Sequence, residues 1–123
     1  MAYKYFTKKE LRCSHCNQHG MNEEFMSKVE LLREQLDFPF IVTSGYRCED
    51  HPIEARKASP GAHTTGRALD LSVYGEDAHR LLSGALTAGF TGIGINQKGG
   101  SRFIHIDDIE STSERPRPWV WSY

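Results

Sequence analysis

His63, Asp70 and His105 are the residues whose types could together hold a metal ion. Two imidazoles and one carboxylate suit zinc, because neutral nitrogen and anionic oxygen match a borderline cation and leave a fourth position for water. Spacing alone leaves the matter open. No helical register forces a His-x6-Asp pair to converge, so three unrelated polar residues are the competing reading. A second group is Cys13-x-x-Cys16 with Cys48-x-x-His51, which could close a tetrahedral Cys3His site of the structural kind. His15 or His19 could stand in for His51. The alternatives are a Cys13 to Cys16 or Cys13 to Cys48 disulfide, or three ordinary thiols, and reduced cytoplasmic thiols favour metal.

The elements that must position these residues can be read from periodicity. Asn22-Glu23-Glu24 starts a helix over 23–36, with Phe25, Val29, Leu32 and Leu36 on one face. Pro39 ends that pattern, and Phe40-Ile41-Val42-Thr43 predicts a buried strand closed by Ser44-Gly45. Residues 45–66, with Pro52, Pro60, Gly61 and Gly66, predict a long functional loop. From Arg67 to Val73 the residues alternate, so Leu69, Leu71 and Val73 face a core while Ala68, Asp70 and Ser72 face away. A second helix is expected over 76–88, with Ala78, Leu81, Leu82 and Ala85 inward and Gly89 as its cap. Strands over 92–96 and 102–107 follow, joined by the Gln97-Lys98-Gly99-Gly100 turn. The second puts Phe103, His105 and Asp107 opposite Ile104 and Ile106. The segment after Glu114 is rich in Pro, Arg and Trp. The whole predicts one α+β domain over 1–123, a small antiparallel sheet with flanking helices.

Composition excludes some partners. With 15 basic and 16 acidic residues, a net charge of -1 and a pI near 6.6, the chain has no field for nucleic acid or an anionic membrane. No stretch approaches a membrane span, and Met1 to Glu10 lacks the apolar core of a secretory signal. Synthesis in a cytoplasm, as a monomer, is expected.

The wording of several segments adds a resemblance. Ser44-Gly45-Tyr46-Arg47, Gly61-Ala62-His63-Thr64-Thr65-Gly66-Arg67-Ala68-Leu69-Asp70, Gly92-Ile93-Gly94 and Phe103-Ile104-His105-Ile106-Asp107 resemble the M15 family of zinc D-Ala-D-Ala carboxypeptidases and phage endopeptidases, from about Phe6 to Trp121. The resemblance implies a hedgehog/D-Ala-D-Ala peptidase-like fold, a zinc ion on His63, Asp70 and His105, and hydrolysis of a peptide bond in bacterial peptidoglycan, with zinc-bound water as nucleophile. It also implies that Arg47 lies near the active site, with Ser44 and Tyr46 beside it as substrate-binding residues. A guanidinium there could clamp a substrate carboxylate or an oxyanion; otherwise it pairs with Glu49 or Asp50. The stem peptide of the wall is the implied partner, and a phage or prophage lysis protein, or a virion component, the implied setting.

One position departs from the pattern. Better-known relatives carry an acid three residues before the last zinc histidine, where this chain has Arg102, and arginine cannot serve as a base at neutral pH. Asp107 is the replacement base, or else it orients a ligand. Asp108 and Glu110 are weaker candidates, with solvated surface as their alternative. A non-catalytic, zinc-containing module that binds wall peptide or serves phage assembly is thus the second reading. His79 is read as exposed and without a role. Trp119, Trp121 and Tyr123 either line a groove or cover the sheet, and are read as packing.

Overall fold

A computed structural model describes residues 3–57 and 61–123; Pro60 of the expected loop lies outside them. Among the described residues four helices, α1 (Lys8–Leu11), α2 (Glu23–Leu36), α3 (Pro52–Ala55) and α4 (Gly75–Thr87), accompany five strands, β1 (Ile41–Ser44), β2 (Ala68–Ser72), β3 (Gly92–Asn96), β4 (Phe103–Asp107) and β5 (Trp119–Ser122). The α+β expectation holds. The Asn22 side chain accepts the Phe25 N–H at 3.0 Å and so caps α2, and Glu23 and Glu24 sit where the helix dipole favours negative charge. Phe25, Met26, Val29 and Leu32 form its buried stripe. In α4, Ala78, Leu81 and Ala85 are buried. That helix ends as expected at Gly89, whose φ of 87° lets the Gly89 N–H reach Leu86 O and the Phe90 N–H reach Ala85 O.

The sheet order is β1-β2-β4-β3-β5, antiparallel except for β3 with β5. Its parity positions the site. Leu69, Leu71, Ile93, Ile104 and Ile106 join α2 and α4 in the core, so Asp70, His105 and Asp107 project from the opposite face. The pairing of β2 with β4 sets Asp70 directly across from His105.

Three expectations change. β1 is an edge strand and not a buried one: Ile41 is 59% exposed, because β1 has a neighbour on one side alone, while Phe40 packs on Phe6 and Phe38. The expected loop over 45–66 contains α3, with Pro52 at its first position, and a 3₁₀ turn over Ala62–Thr65. The Pro/Arg/Trp-rich tail supplies β5, which adds a parallel edge to an otherwise antiparallel sheet. The described residues include no helix long and apolar enough to cross a membrane.

Candidate metal centre

His63 sits on the 3₁₀ turn, which Thr64 and Thr65 tie down by donating their hydroxyls to Gly61 O and Ala62 O. Its Nδ1 lies 2.8 Å from Gly45 O. A carbonyl can only accept, so Nδ1 carries the hydrogen and Nε2 presents a lone pair. That Nε2 is 3.2 Å from Asp70 Oδ1. His105 is arranged in mirror fashion: Nε2 donates to Asp107 Oδ2 at 2.7 Å, and Nδ1 stands 3.0 Å from the same Asp70 oxygen. With neutral rings, two nitrogen lone pairs and a carboxylate oxygen then face one another, an arrangement that only protons or a cation reconcile. All three residues are buried. Ligands on a tetrahedral zinc at its usual bond lengths stand about 3.3 Å apart, close to the 3.0 and 3.2 Å seen. The donor set therefore fits zinc.

Charge follows the same geometry. Burial would raise the Asp70 pKa, but hydrogen bonds and charge from His105 and His63 hold it well below the carboxylate range. Burial would lower that of His105, yet Asp107 and Asp70 lift it above 6.5. In metal-free protein that second proton must leave before Nδ1 can ligate. Zinc affinity is accordingly expected to keep rising with pH beyond 6.5, by about tenfold per unit while one proton is displaced, in competition titrations against a chromophoric chelator.

Asp107 stands behind His105. Arg117 grips it bidentately, Nε to Oδ1 at 2.9 Å and Nη2 to Oδ2 at 2.8 Å, and the Ile109 N–H adds a longer bond to Oδ1. Both oxygens are engaged and the residue is 0% exposed. Burial opposes its ionisation, but His105 and Arg117 bring its pKa down to about 2. Gly92-Ile93-Gly94 makes room for this group. A Cβ on Gly92 would lie 2.2 Å from Asp107 Oδ1, and one on Gly94 2.5 Å from Trp121 Nε1. Across the bare Gly94 backbone, the Trp121 ring reaches to 5.0 Å from that of His105. Because Arg117 and His105 pin the carboxylate, Gly92→Ala is expected to push Asp107 out of register and weaken zinc binding by about tenfold or more, read by the same titration.

A cleft of about 370 Å³ opens beside the three donors, lined also by Arg47, Lys57, Phe103, Trp121 and Tyr123. Arg47 thus shares a cleft with His63, Asp70 and His105. Its ion-pair partner is neither Glu49 nor Asp50 but Glu54, at 3.1 Å. The Glu54 side chain is fully buried and also takes Lys57 Nζ and the Gly61 N–H. Ser44 and Tyr46 line a different cavity, with Lys9, Arg12 and Ser14, and Tyr46 packs its ring on Gly20. Arg47 lies between the two cavities and lines both.

The three thiols also meet, with every Sγ within 4.8 Å of the others. His51 does not complete the group. Its Nδ1 accepts the Ile53 N–H at 3.1 Å, capping α3, and its Nε2 lies 3.1 Å from Ser14 Oγ. His15 and His19 are likewise outside the cluster. Asp108 is no solvated group: Arg67 binds it bidentately and Lys28 adds a third contact, fastening the start of β2 to the end of β4. Glu110 and His79 are exposed. Arg102 donates to Gly99 O and lines a separate cavity with Ser72 and Tyr74.

Arg117 and Glu54 went unread in the sequence, and Trp121 and Tyr123, weighed as groove-lining but read as packing, line the cleft. The one available signal was Trp-Val-Trp, an aromatic and β-branched run after a proline, which suits a strand. Nothing local marks Arg117 as the partner of Asp107, ten residues away. The sequence model of a family described as Peptidase M15 matches residues 4–107. No curated protein matches the chain.

Proposed function

Because the chain belongs to the peptidase M15 family, a family of zinc-dependent peptidases, we propose that it hydrolyses a peptide bond in the stem peptides of bacterial peptidoglycan, as a carboxypeptidase or endopeptidase. One observation carries the reading: His63, Asp70 and His105 direct three electron-pair donors at one another beside a cleft walled by Arg47. Zinc held there would supply a Lewis acid that activates water and polarises a carbonyl.

The chain's own residues do the rest. Arg47, fixed by Glu54, offers guanidinium N–H groups to a substrate carboxylate or a developing oxyanion. Phe103, Trp121 and Tyr123 form an aromatic wall for the peptide. Asp107 is assigned the orienting role, not that of base, since it holds His105 in the required tautomer and has no oxygen left for water. The position of Arg102, in a cavity apart from the cleft, bears on the missing acid. Arg102→Glu is expected to change kcat by less than about twofold, measured on any cleaved peptide; a large gain would return the base to that position.

A second reading has its own observation. Among the described residues that line the cleft, Asp70 is the one carboxylate, which leaves none to act as base. The chain would then bind wall peptide or serve phage assembly without cutting. Zinc-loaded wild type and His63→Ala are to be incubated with muropeptides and the products identified by mass spectrometry. New termini in wild type alone support the peptidase; saturable binding without cleavage supports the module. Neither cleavage nor binding would overturn the wall peptide as ligand.

A further inference from the structure

We propose that Cys13, Cys16 and Cys48 form a second, structural site for a thiophilic divalent cation of the zinc kind, which ties the N-terminal segment to the turn that carries Arg47. The site itself stands apart from the proposed peptidase activity, and its link to Arg47 rests on that reading. Geometry supports it first. Thiolates on a tetrahedral zinc are about 3.8 Å apart, and Cys13 Sγ and Cys48 Sγ are separated by 3.7 Å, with Cys16 Sγ within 4.8 Å of both. None is in a disulfide, and a disulfide would use two of three thiols where a cation uses all.

The backbone is built around the cluster. Cys13 is fully buried, and the Cys48 N–H points at its Sγ from 3.3 Å. Residues 13–18 form a tight turn, closed by Asn17 N–H to Cys13 O at 2.8 Å and Cys13 N–H to Gln18 O at 3.0 Å, with Asn17 in the left-handed region at φ 61°. A second turn brings the His51 N–H to Cys48 O. Two short turns from segments 35 residues apart thus present thiols to one point. Such convergence of sulfur, one thiol buried and two half-buried, on a metal's ligand spacing is what a structural metal requires.

The fourth corner does not come from His51. Its Nδ1 accepts the Ile53 N–H, so a neutral ring keeps its proton on Nε2 and offers no second lone pair. Solvent takes that corner. The consequence reaches the cleft through the backbone: Tyr46 N–H donates to Leu11 O, and Arg47 N–H to His63 O. A cation on the thiols would hold the stretch between these bonds, with Gly45 O still gripping His63.

The test uses the His63→Ala background, in which the first centre is disabled, so that failure of one site does not mask the other. Protein reduced and purified without a metal-binding tag is expected to retain about one zinc per chain. Cobalt substitution is expected to give the intense near-ultraviolet band of thiolate-to-metal charge transfer, and a strong chelator to lower the melting midpoint by about 5 °C or more. Adding Cys16→Ser should remove most of the retained metal and weaken the band, whereas adding His51→Ala should leave the band unchanged. Absence of the band in folded, reduced, cobalt-loaded protein, or a Cys13 to Cys48 disulfide in protein purified without reductant, would overturn the site.

Discussion

Alanine at Asp70 is expected to remove zinc from the histidine centre and to lower kcat/KM by about a thousandfold or more. Among the described residues, the carboxylate is the one group that both His63 Nε2 and His105 Nδ1 face. Without it the two lone pairs keep a neutral site of two nitrogens, too weak to retain zinc against ordinary chelators. Loss of about 4 kcal/mol of transition-state stabilisation, within what a Lewis acid contributes, corresponds to that factor in rate. Zinc content of the purified variant, read beside its rate on a cleaved peptide, decides the matter. Retention of wild-type metal and rate would mean that Asp70 is not a ligand. The fold is expected to survive, because Asp70 projects from the sheet face opposite the core built on Leu69 and Leu71.

Arg117→Ala should be the most damaging change outside the ligands themselves. It would leave Asp107, 0% exposed, with its negative charge buried and its bidentate partner gone. Breaking a buried pair from one side costs about 3–5 kcal/mol, and loss of a group that orients a metal ligand typically weakens metal binding 10–100-fold, so about that loss is expected here. Both effects are predicted together: a melting midpoint lower by about 10 °C or more and weaker zinc, with ligands unaltered. Arg117→Lys should recover little, since an ammonium cannot reproduce the two parallel N–H bonds to Oδ1 and Oδ2. Wild-type zinc affinity in Arg117→Ala would show that His105 is held without Asp107. The same chain of contacts explains two glycines: Gly92 clears the space Asp107 fills, and Gly94 lets Trp121 lie against His105.

Local patterning in the sequence was enough for α2, α4 and the parity of two strands. Alternation along residues 67–73 and 102–107 placed Asp70, His105 and Asp107 off the core, and hydrophobic periodicity placed Phe25, Val29 and Leu32 on it, because both signals depend on neighbours within a few residues. Donor chemistry and a family resemblance singled out His63, and Arg47 came from the resemblance. What tertiary structure alone decided was register and return path. The pairing of β2 with β4 put Asp70 opposite His105; the parallel docking of β5 carried Arg117 and Trp121 to the same face. Likewise His51, matched to the cysteines by spacing, is drawn off to cap α3, and Glu54, unremarked in the sequence, is buried beneath Arg47. Each of these depends on which strand lies beside which and on where a side chain finds a partner many residues away, and such pairings are set by global packing that no local period encodes.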